Sequence, residues 1–188
     1  MSGRIAPPSS PRRALVFGIG SVDRGDDAVG VIVADQVREA VTGSEGDWVK
    51  VVVHEDPTAL LEALDGTDVA VIIDAVRSGA EPGTVTRFDM GRHDPPLAAD
   101  RGAGVAGTHG LGLAAVIDLA RALGRLPSRV VLVGIEADDF GHGRGLSDPV
   151  RESVPDALEH VLGVLDLDVS RGATRAVHMP ALSRMRSI

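Results

Sequence analysis

Three short stretches of the sequence carry side chains able to do chemistry. They are Gly18-Ile19-Gly20-Ser21-Val22-Asp23-Arg24-Gly25-Asp26-Asp27-Ala28-Val29-Gly30, then Asp74-Ala75, and then Gly107-Thr108-His109-Gly110-Leu111. Together, Asp27, Asp74 and His109 supply two carboxylates and one imidazole. Such a donor set leaves coordination positions open, as catalytic divalent sites do, and fits Zn²⁺ or Ni²⁺ better than Ca²⁺. Asp74 falls in the apolar run Val-Ala-Val-Ile-Ile-Asp-Ala-Val, so its carboxylate must stand at a strand end or be buried at a cost. His109 follows Thr108, a good helix N-cap, and the positive end of a helix dipole favours the neutral, ligand-competent imidazole. Each residue also has a plainer reading. Asp26 would cap the following helix, Asp74 would cap a neighbouring turn, and His109 would be a surface residue. His54, at the end of another apolar run, is a candidate for supporting the ligands from behind. His93, His142, His160 and His178 carry weaker signals.

The same stretches exclude other chemistries. The first begins Gly-x-Gly but has Asp23 where a dinucleotide fingerprint needs its third glycine, and Asp26 and Asp27 would repel a pyrophosphate. No Gly-Lys-Ser/Thr phosphate loop and no Gly-x-Ser-x-Gly elbow occurs. The absence of Cys rules out thiolate metal sites, disulfides and a Cys nucleophile. The formal net charge of -8 argues against nucleic acid or an anionic membrane as partner, and the 2% aromatic content leaves little for base stacking. No apolar run is long enough for a bilayer span and the N-terminus lacks a signal-peptide core, so the expected location is the cytoplasm.

The elements that must position these residues can be read from the apolar periodicity. Ala14–Phe17, Val49–Val53, Val69–Val76 and Val130–Ile135 are short apolar runs that predict buried strands. Thr84–Phe88 follows a Pro82-Gly83 turn signal and reads as a hairpin partner or edge strand. Val29, Val33, Val37 and Val41, joined by Ile32 and Ala40, make one helix face. Pro57 opens a short helix through Leu60, Leu61 and Leu64. Leu111–Leu123 predicts a helix with Ala115, Leu119 and Leu123 on one stripe. A last helix has Val154, Leu158, Val161, Leu162 and Leu165 on its stripe, and Pro155 should kink it or reset its start. The order β-α-β-α-β-β-α-β-α predicts an α/β fold, a three-layer α/β/α sandwich around a mostly parallel, mixed twisted sheet of the phosphorylase/hydrolase-like kind. With 188 residues the chain fits one domain over residues 14–168, with a Pro-rich leader at 1–13 and an Arg-rich tail at 169–188. Amphipathic helices predict a monomer. In such sheets ligands gather at the carboxyl ends of the strands, where all three stretches fall.

The combination of Gly18-Ile19-Gly20, Gly25-Asp26-Asp27-Ala28-Val29-Gly30, Ile73-Asp74-Ala75, Thr108-His109-Gly110-Leu111, Val133-Gly134-Ile135-Glu136 and Gly145-Leu146-Ser147 resembles the [NiFe]-hydrogenase maturation proteases, in order, from about Ala14 to about Leu165. The resemblance implies a nickel-dependent endopeptidase that removes the C-terminal extension of the hydrogenase large-subunit precursor after nickel insertion. It implies that Asp27, Asp74 and His109 are the metal-binding catalytic residues. The nickel would be supplied by the substrate, with zinc or cadmium able to stand in for it in a crystal. The sequence departs from the family pattern at Ser21, where the family has Asn. It departs again at His54-Glu55-Asp56-Pro57-Thr58-Ala59-Leu60, where the family has an Asp-Gly-Gly-Thr-like loop. The second departure motivates an alternative: a non-catalytic maturation chaperone of the same fold that binds metal or precursor without cutting.

Overall fold

A computed structural model describes residues 13–42, 48–91, 110–143 and 145–166. Among them are five strands: β1 (Ala14–Ile19), β2 (Val49–His54), β3 (Val69–Val76), β4 (Val85–Gly91) and β5 (Arg129–Glu136). The helices are α1 (Val29–Val41), the single turn α2 (Leu60–Ala63), α3 (Gly110–Ala122) and α4 (Asp148–Val164). Short 3-10 turns at Gly25–Ala28 and Pro57–Ala59 lead into α1 and α2. The sheet order is β2-β1-β3-β5-β4, parallel throughout except for β4, which runs antiparallel to β5 at one edge. This is the predicted mixed, mostly parallel α/β sheet.

The physical basis is the strand composition. β1, β3 and β5 are nearly all Val, Ile, Leu and Ala and are buried on both faces, as a parallel sheet covered by helices requires. One face packs Val16, Val71, Ile73, Val131 and Val133 against α1 and α4. The other packs Phe17, Ile72 and Leu132 against α2 and α3. Each such side chain, removed fully from water, contributes about 1.5–3 kcal/mol. The chain goes from β1 through α1 to β2 on one side, then through α2 to β3 on the other side of β1. The strand order therefore reverses between β1 and β3, and a crevice opens at their carboxyl ends.

Several expectations need correction. The buried face of α3 is Leu113, Ala114, Val116, Ile117 and Ala120, whereas Ala115, Leu119 and Leu123 face solvent. This helix is apolar on two interleaved stripes, so periodicity could not decide which one faces the sheet. Ala40, assigned to the buried face of α1, is exposed, and Ala34 takes part in the core instead. The strand expected over Thr84–Phe88 starts at Val85, continues to Gly91 and pairs with β5. α4 runs as one helix through Pro155, so this proline does not reset its start, and Pro149 stands in its first turn, where the missing N–H costs nothing. Arg13, assigned to the leader, is already tied to the domain: its N–H donates to Asp68 Oδ2 at 2.9 Å and its carbonyl accepts from Asp68 N at 2.8 Å. The rest of the leader and the Arg-rich tail lie outside the described residues.

Candidate active site

The turn after β1 is built by glycines. Gly20 has φ +137°, and a Cβ there would stand 1.8 Å from the Asp27 carbonyl oxygen. Only glycine lets the chain fold back this closely. At the start of α1, a Cβ on Gly30 would stand 2.3 Å from the Ile19 carbonyl oxygen and 2.6 Å from that of Ile73. α1 is thus seated by backbone contact over the junction of β1 and β3. The 3-10 turn Gly25–Ala28 just before it lies against β3 at the crevice.

Asp26 and Asp27 are both buried in this turn but have different duties. Asp26 does not cap α1, which has no side-chain cap. Its carboxylate turns instead to the segment after β5. Oδ2 accepts from Asp138 N at 3.2 Å, Asp139 N at 3.0 Å and Ser147 Oγ at 3.0 Å, while Oδ1 accepts from Ser147 N at 2.7 Å. The Asp26 N–H donates back to the Asp139 carbonyl at 2.7 Å. Four charge-assisted donors account for why a wholly buried carboxylate is tolerated here. Asp27 Oδ2 accepts from Ser21 N at 3.0 Å, which holds its carboxylate at the β1 end of the crevice. Ser21 serves this turn through its backbone N–H.

Asp74 is 5% exposed and stands opposite Gly134 in the pairing of β3 with β5. Ala70 and Ile72 belong to the α2/α3 side, so alternation places Asp74 on that face, near the carboxyl end of β3. Beyond it, the Val76 side chain fills the place beside Gly134, where an added Cβ would stand 3.0 Å from Val76 Cγ1. Two buried acids therefore reach the switch point from the two sides of the sheet, one on a turn and one on a strand. Two carboxylates of this kind are hard donors suited to a divalent cation. Among the described residues no cluster of three metal-ligating side chains occurs. The third predicted ligand, His109, lies outside the described residues, as does Thr108. α3 starts at the next residue, Gly110, and a Cβ on its Gly112 would stand 3.4 Å from Pro57 Cγ, so the α3 N-terminus packs beside the turn that follows β2.

His54 is exposed at the end of β2. Its Nδ1 accepts from Asp56 N at 2.9 Å, and its carbonyl accepts from Gly20 N at 3.3 Å. It braces the turn leading to Pro57, where Asp56 Oδ1 in turn caps Thr58 N at 2.8 Å.

Two arrangements at the rim have no local signal in the sequence. Glu136 is buried and accepts from Ser78 N, Ser78 Oγ and Gly79 N at 2.7–3.0 Å. Burial alone would raise its pKa, but these donors and the Ala80 N–H outweigh it and hold the carboxyl below its ordinary range. Arg77, just beyond β3, donates from Nη2 to the Asp138 carbonyl at 2.6 Å and lies 4.6 Å above the Phe140 ring centroid. Glu136 and Ser147 were visible as part of a familiar pattern, yet their partners are about 58 and 121 residues away in the chain.

Comparison with known proteins agrees with this architecture. A sequence model of a family described as hydrogenase maturation protease matches residues 55–164. The hydrogenase expression/formation protein HupD of Rhizobium leguminosarum bv. viciae is 29% identical over 165 residues, spanning 86% of this chain and 77% of that protein. The hydrogenase 2 maturation protease of Escherichia coli is 29% identical over 157 residues, covering 81% and 90%. Among solved structures, the hydrogenase maturating endopeptidase HybD of Escherichia coli superposes with a TM-score of 0.65 at 28% identity over 82% of this chain and 92% of that one. The [NiFe] hydrogenase maturation protease HybD of Thermococcus kodakarensis gives 0.65 at 26% identity, covering 81% and 98%.

Proposed function

The chain belongs to the hydrogenase maturation protease family, a family of hydrolases, and from that premise we propose that it removes the C-terminal extension of a [NiFe]-hydrogenase large-subunit precursor. The observation that carries this reading is that two buried acids, Asp27 on the turn before α1 and Asp74 near the end of β3, both stand beside the strand pair where the order reverses. In this reading Asp27, Asp74 and His109 engage nickel that arrives as part of the precursor. The ion orients the segment to be cut and polarises the scissile carbonyl or a water. The buried setting of the two acids strengthens their hold on a cation, because little water competes there. Cleavage then waits for a loaded precursor, since the three side chains have nothing to gather around without the ion. We place this work in the cytoplasm; no helix among the described residues is long and apolar enough to cross a membrane.

The test is to incubate the purified protein with nickel-loaded and nickel-free precursor and follow release of the extension by mass spectrometry. Release from the loaded form only is expected, and His109→Ala should abolish it while leaving thermal unfolding unchanged. Tight binding of the loaded precursor with no released peptide would favour the non-cutting chaperone, for which the His54–Leu60 segment is the motivating feature.

A further inference from the structure

β3 and β5 end together, Val76 opposite Glu136. Just past that point lies a cleft of about 420 Å³ lined by Arg77, Gly79, Pro82, Glu136 and Asp138, among others. We propose that Arg77 in this cleft is a carboxylate-binding residue that recognises the C-terminal extension of the precursor, an inference that rests on the protease reading above.

Arg77 is held in place before any ligand arrives. The Asp138 carbonyl fixes one Nη, and the Phe140 ring supports the plane of the guanidinium from one face. Both anchors lie in the segment whose backbone Asp26 grips at Asp138, Asp139 and Ser147. Arg77 is therefore braced against the same turn that carries Asp27. A guanidinium has five N–H donors in a fixed fork, and one bond to Asp138 leaves most of them for a ligand. Two carboxylates share the cleft. Glu136 is wrapped by the donors of Ser78 and Gly79, and Asp138 is exposed to solvent. Among the described residues Arg77 forms no salt bridge. It stands three residues beyond Asp74, so roughly 10 Å of chain separates them, about the span of three extended residues of a bound peptide. Every C-terminal extension ends in a carboxylate and can carry acidic side chains as well. Either fits a preorganised guanidinium just past the end of β3.

The experiment uses a synthetic peptide with the sequence of the extension in three forms: free acid, C-terminal amide, and free acid with every Asp and Glu changed to Asn or Gln. Binding to the full-length protein is read by fluorescence anisotropy for wild type, Arg77→Gln and Arg77→Lys, alongside kcat and KM for the loaded precursor. The wild type should bind the free acid about fivefold more tightly than the form lacking the recognised carboxylate. Weakening by amidation identifies the terminal carboxylate, and weakening by the Asn/Gln form identifies a side chain. Arg77→Gln should bind all three alike and raise KM by the same factor with kcat nearly unchanged, and Arg77→Lys should recover part of the preference. The inference is overturned if the wild type cuts precursor yet binds the three peptides equally, or if Arg77→Gln keeps the preference. It is also overturned if Arg77→Gln lowers kcat and the unfolding temperature without touching the preference, since that is the behaviour of a strut for the Asp138–Phe140 segment. Failure of the wild type to cut loaded precursor would overturn the protease reading itself, and this site with it.

Discussion

The two faces of the sheet are closed in different ways. On the α1/α4 face the backbones touch: a Cβ on Gly18 would lie 2.4 Å from the Gly30 carbonyl oxygen, and one on Gly30 would run into Ile19 and Ile73. On the α2/α3 face side chains fill the gap, α2 is a single turn, and Leu119 of α3 and Leu123 just past its end are left 46% and 57% exposed. Asp27 comes from the tightly closed side and Asp74 faces the other. The difference teaches that one acid is placed by glycines whose spacing is fixed locally, whereas the other is placed by strand alternation and pairing register.

If both faces feed one site, the largest effect should come from the acids themselves. Asp27→Asn and Asp74→Asn should each slow release of the extension by about 10³-fold, some 4 kcal/mol of transition-state stabilisation, with unfolding temperatures close to wild type. Loss from only one of the two would break the picture of a site shared between faces.

Next in size is a pair of identical substitutions on opposite faces. Gly30→Ala forces a methyl into two carbonyl oxygens and should cost about 3 kcal/mol or more in denaturant unfolding. Gly112→Ala in α3 meets only Pro57 Cγ at 3.4 Å and should be neutral or stabilising by up to about 1 kcal/mol. Equal costs would mean that α1 is not seated by backbone contact.

Within α3, Ile117→Ala should cost about 2–3 kcal/mol and Leu119→Ala about 0.5 kcal/mol or less, because only Ile117 is fully buried. The reverse order would restore the stripe expected from periodicity.

The smallest effect concerns acid stability at the rim. Glu136 has a folded-state pKa below its unfolded value, so its contribution is present above the unfolded value and is lost as pH falls through the folded one. Wild type should lose unfolding temperature more steeply than Glu136→Gln as pH drops from about 5 toward 3. Parallel curves would show that the Ser78–Ala80 donors do not favour the charged form.

Much of the fold was legible because its signals are local. Val69–Val76 is an apolar run interrupted only by Asp74 and appears as a strand with those bounds, and Pro57 opens its short helix as expected. The α3 stripe was not legible, because Leu113/Ile117 and Ala115/Leu119/Leu123 are equally apolar and only the neighbouring sheet chooses between them. At the site, Asp27 and Asp74 stood out by type and position. The separate role of Asp26 did not, since capping its own helix and gripping a distant segment look identical in one dimension.

The sequence by itself determined the order and type of the elements, the glycine turn that bends the chain back at Asp27, and the presence of an acid inside the apolar run of β3. These depend on backbone conformation and on side-chain period, which act over a few residues. Only the tertiary structure decided that Asp26 and Ser147 are joined, that Glu136 is sheltered by Ser78 and Gly79, and that Arg77 rests on Phe140. Those pairings depend on which strands become neighbours, and a hydrogen bond of 3 Å between residues more than fifty positions apart leaves no periodicity along the chain.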